Sequence, residues 1–413
     1  MAIVPDHHAA LREHFGFACF RPGQEVAVQA ALAGRDVLVV MPTGAGKSLW
    51  YQLPALMRSD LTLVVSPLVS LMADQVQSLG RRAPGAVALV NAQQDPGANA
   101  ATLAAAVRGE LRVLHVAPER FSAPGFLEAL EQVPVGLFVV DEAHCVSEWG
   151  HDFRPDYLRL GDVARRLGAA AFVASTATAT PQVASHIVGR LGLREPVKIA
   201  TGFDRPNLSF TVVHSPTRAA RARQVLSALE PAGATPAIVY AGTRRAVDAL
   251  ALPLEEGLGR PGVAYHAGLA RAERARSQER FMGGDVDVVV ATSAFGMGVD
   301  KADVRTVVHA SVPPSLEAYY QEAGRAGRDG APARAVLLAA DEDKGLHVHF
   351  VRRAEVTGAH VASIAEALQL AAGGPPVTAL PGLEGAVPTF DVALWELANA
   401  DPDRIRAVVG VLA

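Results

Sequence analysis

Two short stretches carry the residue types that phosphate chemistry requires. Residues 41–48 read MPTGAGKS, directly after the apolar run Val37 to Val40. Thr43, Gly44, Ala45 and Gly46 form a loop whose glycines let backbone N–H groups close around phosphate oxygens. A helix starting near Ser48 favours their negative charge. Lys47 can reach the β- and γ-phosphates, and the Ser48 hydroxyl can ligate magnesium. Met41 stands where the usual form of this loop has its first glycine, but Gly44, Gly46, Lys47 and Ser48 are the parts nearest phosphate. Further along, LFVVDEAH places Asp141 and Glu142 at the end of another apolar run. An acidic pair there can also be a helix start, since Asp and Glu suit a first helical turn. Beside a phosphate loop it has a chemical use: Asp141 holds magnesium through water, and Glu142 orients or deprotonates an attacking water. Loop and acids together predict hydrolysis of ATP or GTP.

Such residues need strand ends to hold them. The runs DVLVVMPTG, LTLVVSP, LRVLHVAPE, GLFVVDEAH and AAFVASTATA read as strands buried on both faces, the habit of parallel sheets. Alanine- and leucine-rich stretches with helical spacing lie between them, as from Ala98 to Val107, so the α/β class follows. After FDRPNLSFTVVH the pattern restarts with PAIVYAG, GVAYHAG, VDVVVATS, VRTVVHA and ARAVLLAAD, a second sheet. The Pro206-Asn207 turn marks the boundary. The expected units are 1–208, 209–345 and a remainder, 346–413, of Pro/Gly-rich linker and a short helical tail. That tail reads as a helical hairpin or as part of an incomplete winged helix.

Composition sets limits. With 413 residues, half of them hydrophobic and 19% charged, the chain suits two globular domains rather than disorder. A net charge of −4 excludes a uniformly basic chain, so any nucleic-acid site must be local. Cys19 and Cys145 are the two cysteines, too few for a four-cysteine zinc site or a disulfide framework, so no zinc and a reducing cytoplasm are expected. No run is long and apolar enough for a membrane span or a signal peptide.

The ordered series FRPGQ, MPTGAGKS, SPLVSLMADQV, APER, DEAHCVSEWGHDFRPDY, STATA, FDRPN, AYHAGL, ATSAFGMGVDKADVR and YYQEAGRAGRDG resembles the RecQ family of ATP-dependent DNA helicases, within helicase superfamily 2, over roughly residues 10 to 345. The resemblance implies two tandem RecA-like P-loop domains with helices on both faces of each parallel sheet. It also implies a DNA-dependent ATPase that moves 3′ to 5′ on single strands, unwinds forked duplex, serves repair or recombination, and works as a monomer near the nucleoid. Its cofactors would be ATP and Mg2+.

By the same resemblance, Gln24 and Arg21 match the adenine-binding motif, with Phe17 stacking on the base. A glutamine amide can satisfy the adenine N6 donor and N7 acceptor together, whereas guanine presents an O6 acceptor in place of that donor, so ATP is expected over GTP. The plainer reading of GFACFRPGQ keeps Phe17 and Phe20 as core anchors around a Pro22-Gly23 turn. Lys47, Ser48, Asp141 and Glu142 match the catalytic residues of the first domain. Gln321, Arg325 and Arg328 match the motif that faces the nucleotide from the second, with Arg328 as the arginine finger. Trp149, His151, Phe153 and Arg154 match an aromatic-rich loop that couples DNA contact to hydrolysis, by stacking on bases and approaching phosphates; Trp149 as a core anchor is the alternative. Ser66, Ser70, Gln75 and Arg120 are placed along the single-strand track. Thr176, with Thr178, links the two sites. His266 either touches phosphate or is a buried strand-end histidine. Asp300 and Lys301 border the nucleotide cleft, and ARAERARSQERF is a solvated helix face.

RecQ proteins commonly follow this motor with a four-cysteine zinc module and a winged helix, and no cysteine follows Cys145. A nucleotide-gated DNA-binding or annealing module without processive unwinding is therefore the second reading. A P-loop kinase or transferase would leave QEAGRAGR unexplained.

Overall fold

The computed structural model describes residues 6–42, 46, 48–67, 69–147, 154–202, 204–259, 261–296, 301–341 and 343–345. Thr43, Gly44, Ala45, Lys47, Trp149, His151, Phe153 and Asp300 lie outside the described residues, as do the Ser70 side chain and the expected tail at 346–413.

The first sheet has seven strands: β1 (Val37–Val40), β2 (Leu61–Val65), β3 (Val87–Val90), β4 (Val113–Val116), β5 (Val135–Val140), β6 (Ala171–Thr176) and β7 (Val197–Ala200). They run parallel in the order β3-β4-β2-β5-β6-β1-β7. The second has six: β8 (Leu208–His214), β9 (Ala237–Tyr240), β10 (Gly262–Tyr265), β11 (Val288–Ala291), β12 (Thr306–His309) and β13 (Ala333–Ala339). These too are parallel, in the order β10-β11-β9-β12-β13-β8.

Side chains alternate across a strand, so an unbroken apolar run feeds two cores at once. Leu38 and Val40 of β1 enter one cluster with Phe138, Val140 and Phe172, closed by Val163 and Ile187 from helices Leu160–Arg166 and Pro181–Leu191. Val37, Val39 and Met41 enter the opposite cluster with Val139 and Val173, closed by Val28 and Leu53 from helices Gln24–Leu32 and Leu49–Met57. The second sheet repeats the arrangement. Ile238 and Tyr240 point to one cluster, Ala237 and Val239 to the other. Both domains are thus parallel sheets wrapped by helices.

Strands β3, β7 and β8 are absent from the sequence-derived set, and all three are edges. Leu208 pairs with Ala333 in the second sheet, although the boundary drawn from sequence leaves it in the first unit. The helix Arg271–Gly283 buries only Phe281 among its residues, in keeping with a solvated face.

Candidate active site

The order β5-β6-β1 brings three carboxyl ends together. The phosphate loop follows β1, the acids follow β5, and β6 lies between them; two strand spacings put the outer ends roughly 10 Å apart, a span a polyphosphate can bridge. Ser48 is the N-cap of helix Leu49–Met57, as its place after Gly46-Lys47 predicts, and its side chain caps no backbone N–H there. The buried Tyr51 hydroxyl bonds to Ser48 and Gln52 and feels the Asp141 charge, while burial first and Asp141 second push its pKa far up. Ser48 and Asp141 therefore share a neighbourhood.

Asp141 is held from three directions. Its backbone N–H donates to Val65 O at 2.8 Å, the Ser175 hydroxyl donates to its Oδ1 at 2.7 Å, and the Tyr157 hydroxyl donates to its backbone oxygen at 3.0 Å. Glu142 follows in a left-handed conformation, φ 49° and ψ 46°, a strain of about 1–2 kcal/mol for a residue with a side chain. Its Oε2 is buried and has no hydrogen-bond partner among the described residues, though His144 Nδ1 lies 3.3 Å away outside hydrogen-bond geometry. A buried acceptor of that kind suits a group meant to take a hydrogen bond from water.

His144 connects these acids to β6. Thr176 Oγ1 donates to Thr178 O at 3.0 Å and receives His144 Nδ1 at 2.9 Å, which assigns the Nδ1–H tautomer. Thr176 thus ties the end of β6 to the segment that follows the acids. The Thr178 hydroxyl is buried with no hydrogen-bond partner among the described residues, while its backbone oxygen accepts from Thr176. On the other flank, Arg154 N donates to Cys145 O at 2.9 Å and its Nη1 reaches Pro67 O at 3.3 Å, tying the segment after the acids to the loop after β2.

The FRPGQ stretch is locked to the same loop. Gly23 has φ +79°, and a Cβ there would lie 2.6 Å from Met41 Cε and 2.8 Å from Thr201 Cγ2. The methionine that replaces the usual glycine fills the space that Gly23 leaves. Gln24, 4% exposed, accepts from Arg21 N at 2.9 Å and donates to Gly46 O at 3.1 Å. The amide expected to read adenine bridges to the phosphate loop in this state. Phe17 is 51% exposed and stacks only loosely on Phe15, at 6.4 Å, so the core-anchor reading fails for it. Phe20 is the packed member, half-buried against the second cluster.

In the second domain, Gln321 lies half-buried on helix Leu316–Ala323, capped by Ser315, and Arg325 and Arg328 follow in the turn after it. Arg325 is 6% exposed and donates to Gly296 O, beside the Tyr240 hydroxyl. Its guanidinium is turned inward here. Burial raises the Tyr240 pKa strongly, with Arg325 and Arg328 opposing, so both arginines sit near the carboxyl end of β9.

The turn is held by residues read above only as a boundary. Arg205 donates to Gly324 O (3.1 Å), Ala326 O (2.8 Å) and Gly327 O (3.0 Å). Asn207 Nδ2 donates to Gly327 O and Ala331 O, each at 2.8 Å. Gly327 has φ +58°, and a Cβ on it would meet Asn207 Nδ2 at 2.5 Å. His309 adds a 2.9 Å bond to Glu322 on the preceding helix. Ser175, His144, Tyr157, Arg205 and Asn207 are thus positioning residues that motif reading left without a task; DEAH and FDRPN were the signals present.

Several residues expected on the DNA track have partners or burial within the protein itself. Ser66 is 2% exposed with its hydroxyl enclosed. Gln75 is engaged by Gln52 Nε2, and Arg120 stacks its guanidinium over Phe126 at 5.5 Å. His266 is buried, its Nε2 on Asp248 Oδ1 at 2.9 Å and its Nδ1 accepting from Gly268 N at 3.1 Å, a geometry that suits a buried strand-end histidine. Lys301 pairs with Asp303 at 3.2 Å over the Phe281 ring.

Comparison with known proteins agrees with this geometry. The DEAD/DEAH box helicase family model matches residues 21–186, and the helicase conserved C-terminal domain model matches residues 217–330. The probable ATP-dependent DNA helicase RecS of Bacillus subtilis is 39% identical over 359 residues, covering 87% of this chain and 72% of that protein. The ATP-dependent DNA helicase RecQ of Haemophilus influenzae is 43% identical over 337 residues, 81% of this chain and 53% of its own length. The chain thus spans about half the length of that relative. Among solved structures, Mycobacterium smegmatis helicase Lhr, bound to ssDNA and AMP-PNP, superposes with a TM-score of 0.64 at 22% identity over 88% of this chain and 50% of its own. The helicase MrfA, bound to DNA, gives 0.65 at 21% identity over 84% and 52%. At those identities the likeness is one of fold. The sequence relationship across both domains goes further, and by it the chain belongs to the RecQ family of DEAD/DEAH-box helicases.

Proposed function

We propose that this chain is an ATP-driven DNA motor, an ATPase stimulated by single-stranded DNA that translocates 3′ to 5′ and separates duplex strands. The observation that carries the reading is that His144, hydrogen-bonded to Thr176 at 2.9 Å, sets its Nδ1 3.3 Å from the Glu142 carboxylate. It joins the acid that would orient the attacking water to the strand connecting nucleotide and DNA sites in the family. The oxygen donors Ser48 and Asp141, the latter fixed by Ser175, suit a hard ion such as magnesium. When bound, magnesium neutralises charge on the β- and γ-phosphate oxygens.

The chain's own residues do the rest. Thr43 to Gly46 cradle phosphate with backbone N–H groups, Lys47 reaches the β- and γ-oxygens, and Gln24, Arg21 and Phe17 select adenine. Glu142 accepts the proton of the attacking water. Gln321, Arg325 and Arg328 engage the γ-phosphate from the second domain, with Asp300 at the border of the cleft. Arg328, on a turn fixed by Arg205 and Asn207, stabilises transition-state charge, so hydrolysis is tied to domain approach. Trp149, His151, Phe153 and Arg154 report DNA contact to the acids, with Ser70, Gln75 and Arg120 near the strand path.

A forked duplex with one labelled strand tests this. ATP-dependent strand release that fails with a non-hydrolysable analogue supports the motor; annealing or binding without release replaces it with the nucleotide-gated module.

A further inference from the structure

At the N-terminus, four side chains converge on one point outside the nucleotide site. His7 Nε2 lies 3.1 Å and His8 Nε2 2.9 Å from the same oxygen, Glu25 Oε1. Gln29 Nε2 lies 3.3 Å from that oxygen and 3.2 Å from His7 Nε2. Consecutive helical residues normally point about 100° apart and do not share a target. Here both imidazoles bend to one, with ring centroids 4.7 Å apart. Phe20 packs against both rings, at 5.7 and 5.3 Å, and so walls the cluster. Asp6 is committed to the helix start, accepting from His8 N at 2.9 Å and Ala9 N at 3.2 Å, which fixes the turn on which both histidines stand.

Hydrogen bonding alone satisfies this arrangement poorly. Three donors crowd one carboxylate oxygen, which offers two lone-pair directions. His7 Nε2, if it donates to Glu25, also faces a Gln29 amide nitrogen that is itself a donor. A cation resolves both conflicts: it replaces the imidazole protons, and a flipped Gln29 amide turns its oxygen inward. The spacing fits. Zinc–nitrogen and zinc–oxygen bonds of about 2.0–2.2 Å at tetrahedral angles separate ligand atoms by roughly 3.4 Å, and the three ligand atoms of His7, His8 and Glu25 already lie within 4.8 Å of one another.

We propose that His7, His8 and Glu25, with the Gln29 amide oxygen as fourth ligand, form a four-coordinate site for a divalent transition metal of the zinc class. The cysteine count excludes a four-cysteine site, not this nitrogen and oxygen set. Because Glu25 directly follows Gln24, an ion here clamps the N-terminal helix His7–Phe15 to the first turn of helix Gln24–Leu32.

The test uses the full chain stripped with chelator and titrated with Co2+ while Mg2+ in excess fills oxygen-ligand sites. The expected result is one equivalent of Co2+ with the intense visible absorption of a four-coordinate ion, displaced by Zn2+. The His7→Ala/His8→Ala pair and Glu25→Gln each lose that band. Their Zn2+ affinity falls by more than the roughly 10- to 100-fold that an outer-shell change costs, while metal-free unfolding stays that of the metal-free parent. A weak, six-coordinate spectrum overturns the proposal. So does a tight equivalent that survives in both variants, which would put the ligands elsewhere, as at Cys19.

Discussion

The clamp on the arginine turn gives the sharpest mutational test. Asn207 donates from one nitrogen to the carbonyls of Gly327 and Ala331, both at 2.8 Å. Asn207→Ala removes two neutral hydrogen bonds worth about 0.5–1.5 kcal/mol each, so about 1–3 kcal/mol in all. At about 4 °C per kcal/mol for a domain of this size, the transition of the second domain should fall by roughly 4–12 °C. Asn207→Asp is nearly isosteric but aims a carboxylate oxygen at two carbonyl oxygens. Acceptor then faces acceptor, and the charge is partly desolvated, so the loss should exceed that of alanine by ~1 kcal/mol or more. The turn carries Arg328, and a displacement of about 1 Å in a positioning group can cost on the order of 100-fold in rate. The kcat for ATP should therefore fall further than KM changes. Thermal unfolding and steady-state ATPase measure both effects. A plain linker turn would accept Asp at least as well as Ala. If Asn207→Asp unfolds no earlier than Asn207→Ala, the clamp is not what holds the turn.

Four further outcomes are expected. Gln24→Ala should raise KM for ATP and narrow the preference for ATP over GTP, as competition assays would read; both unchanged would restore the core-and-turn interpretation of FRPGQ. Ser175→Ala frees Asp141 Oδ1 from its 2.7 Å bond, and a charged hydrogen bond of about 1.5–3 kcal/mol predicts a roughly tenfold or greater rise in the Mg2+ concentration for half-maximal ATPase. Thr176→Val breaks the 2.9 Å contact to His144, so stimulation by DNA should drop more than the basal ATPase rate, measured on the same preparation. His115 is fully buried, neither ring nitrogen has a hydrogen-bond partner among the described residues, and burial lowers its pKa from 6.5 to about 4. The unfolded chain then takes a proton that the native state refuses: this stability is present above pH 6.5 and is lost, on the order of 3 kcal/mol, as pH falls toward 4. His115→Leu should flatten that part of the unfolding-versus-pH curve.

What the sequence made legible follows from where the physics is local. Interior strands such as β1 and β5 are buried at every position, so their runs are unbroken and their strand character is plain. Edge strands face fewer neighbours: β7 carries Lys198 outward, and β8 exposes Phe210 and Val212. Their mixed composition hid them. The phosphate loop and the acids were readable because backbone approach to phosphate demands glycine and a strand end demands a short polar turn. Bonds between distant positions were not. Ser175 meets Asp141, and Asn207 meets a carbonyl 120 residues away; only tertiary packing creates such pairs. The inward turn of Ser66 and the bridging of Gln24 to Gly46 likewise depend on which loop packs beside which.

In the proposed motor, hydrolysis at the Asp141–Glu142 site answers to DNA through Thr176 and to the second domain through Arg328. Steady-state ATPase with and without single-stranded DNA, on the parent chain beside Lys47→Ala and Arg328→Ala, tests it most directly. The expected result is strong stimulation by DNA in the parent, and loss of the stimulated rate in both variants, with Arg328→Ala retaining ATP binding. Equal rates with and without DNA in the parent, or a stimulated rate that survives Arg328→Ala, would contradict it.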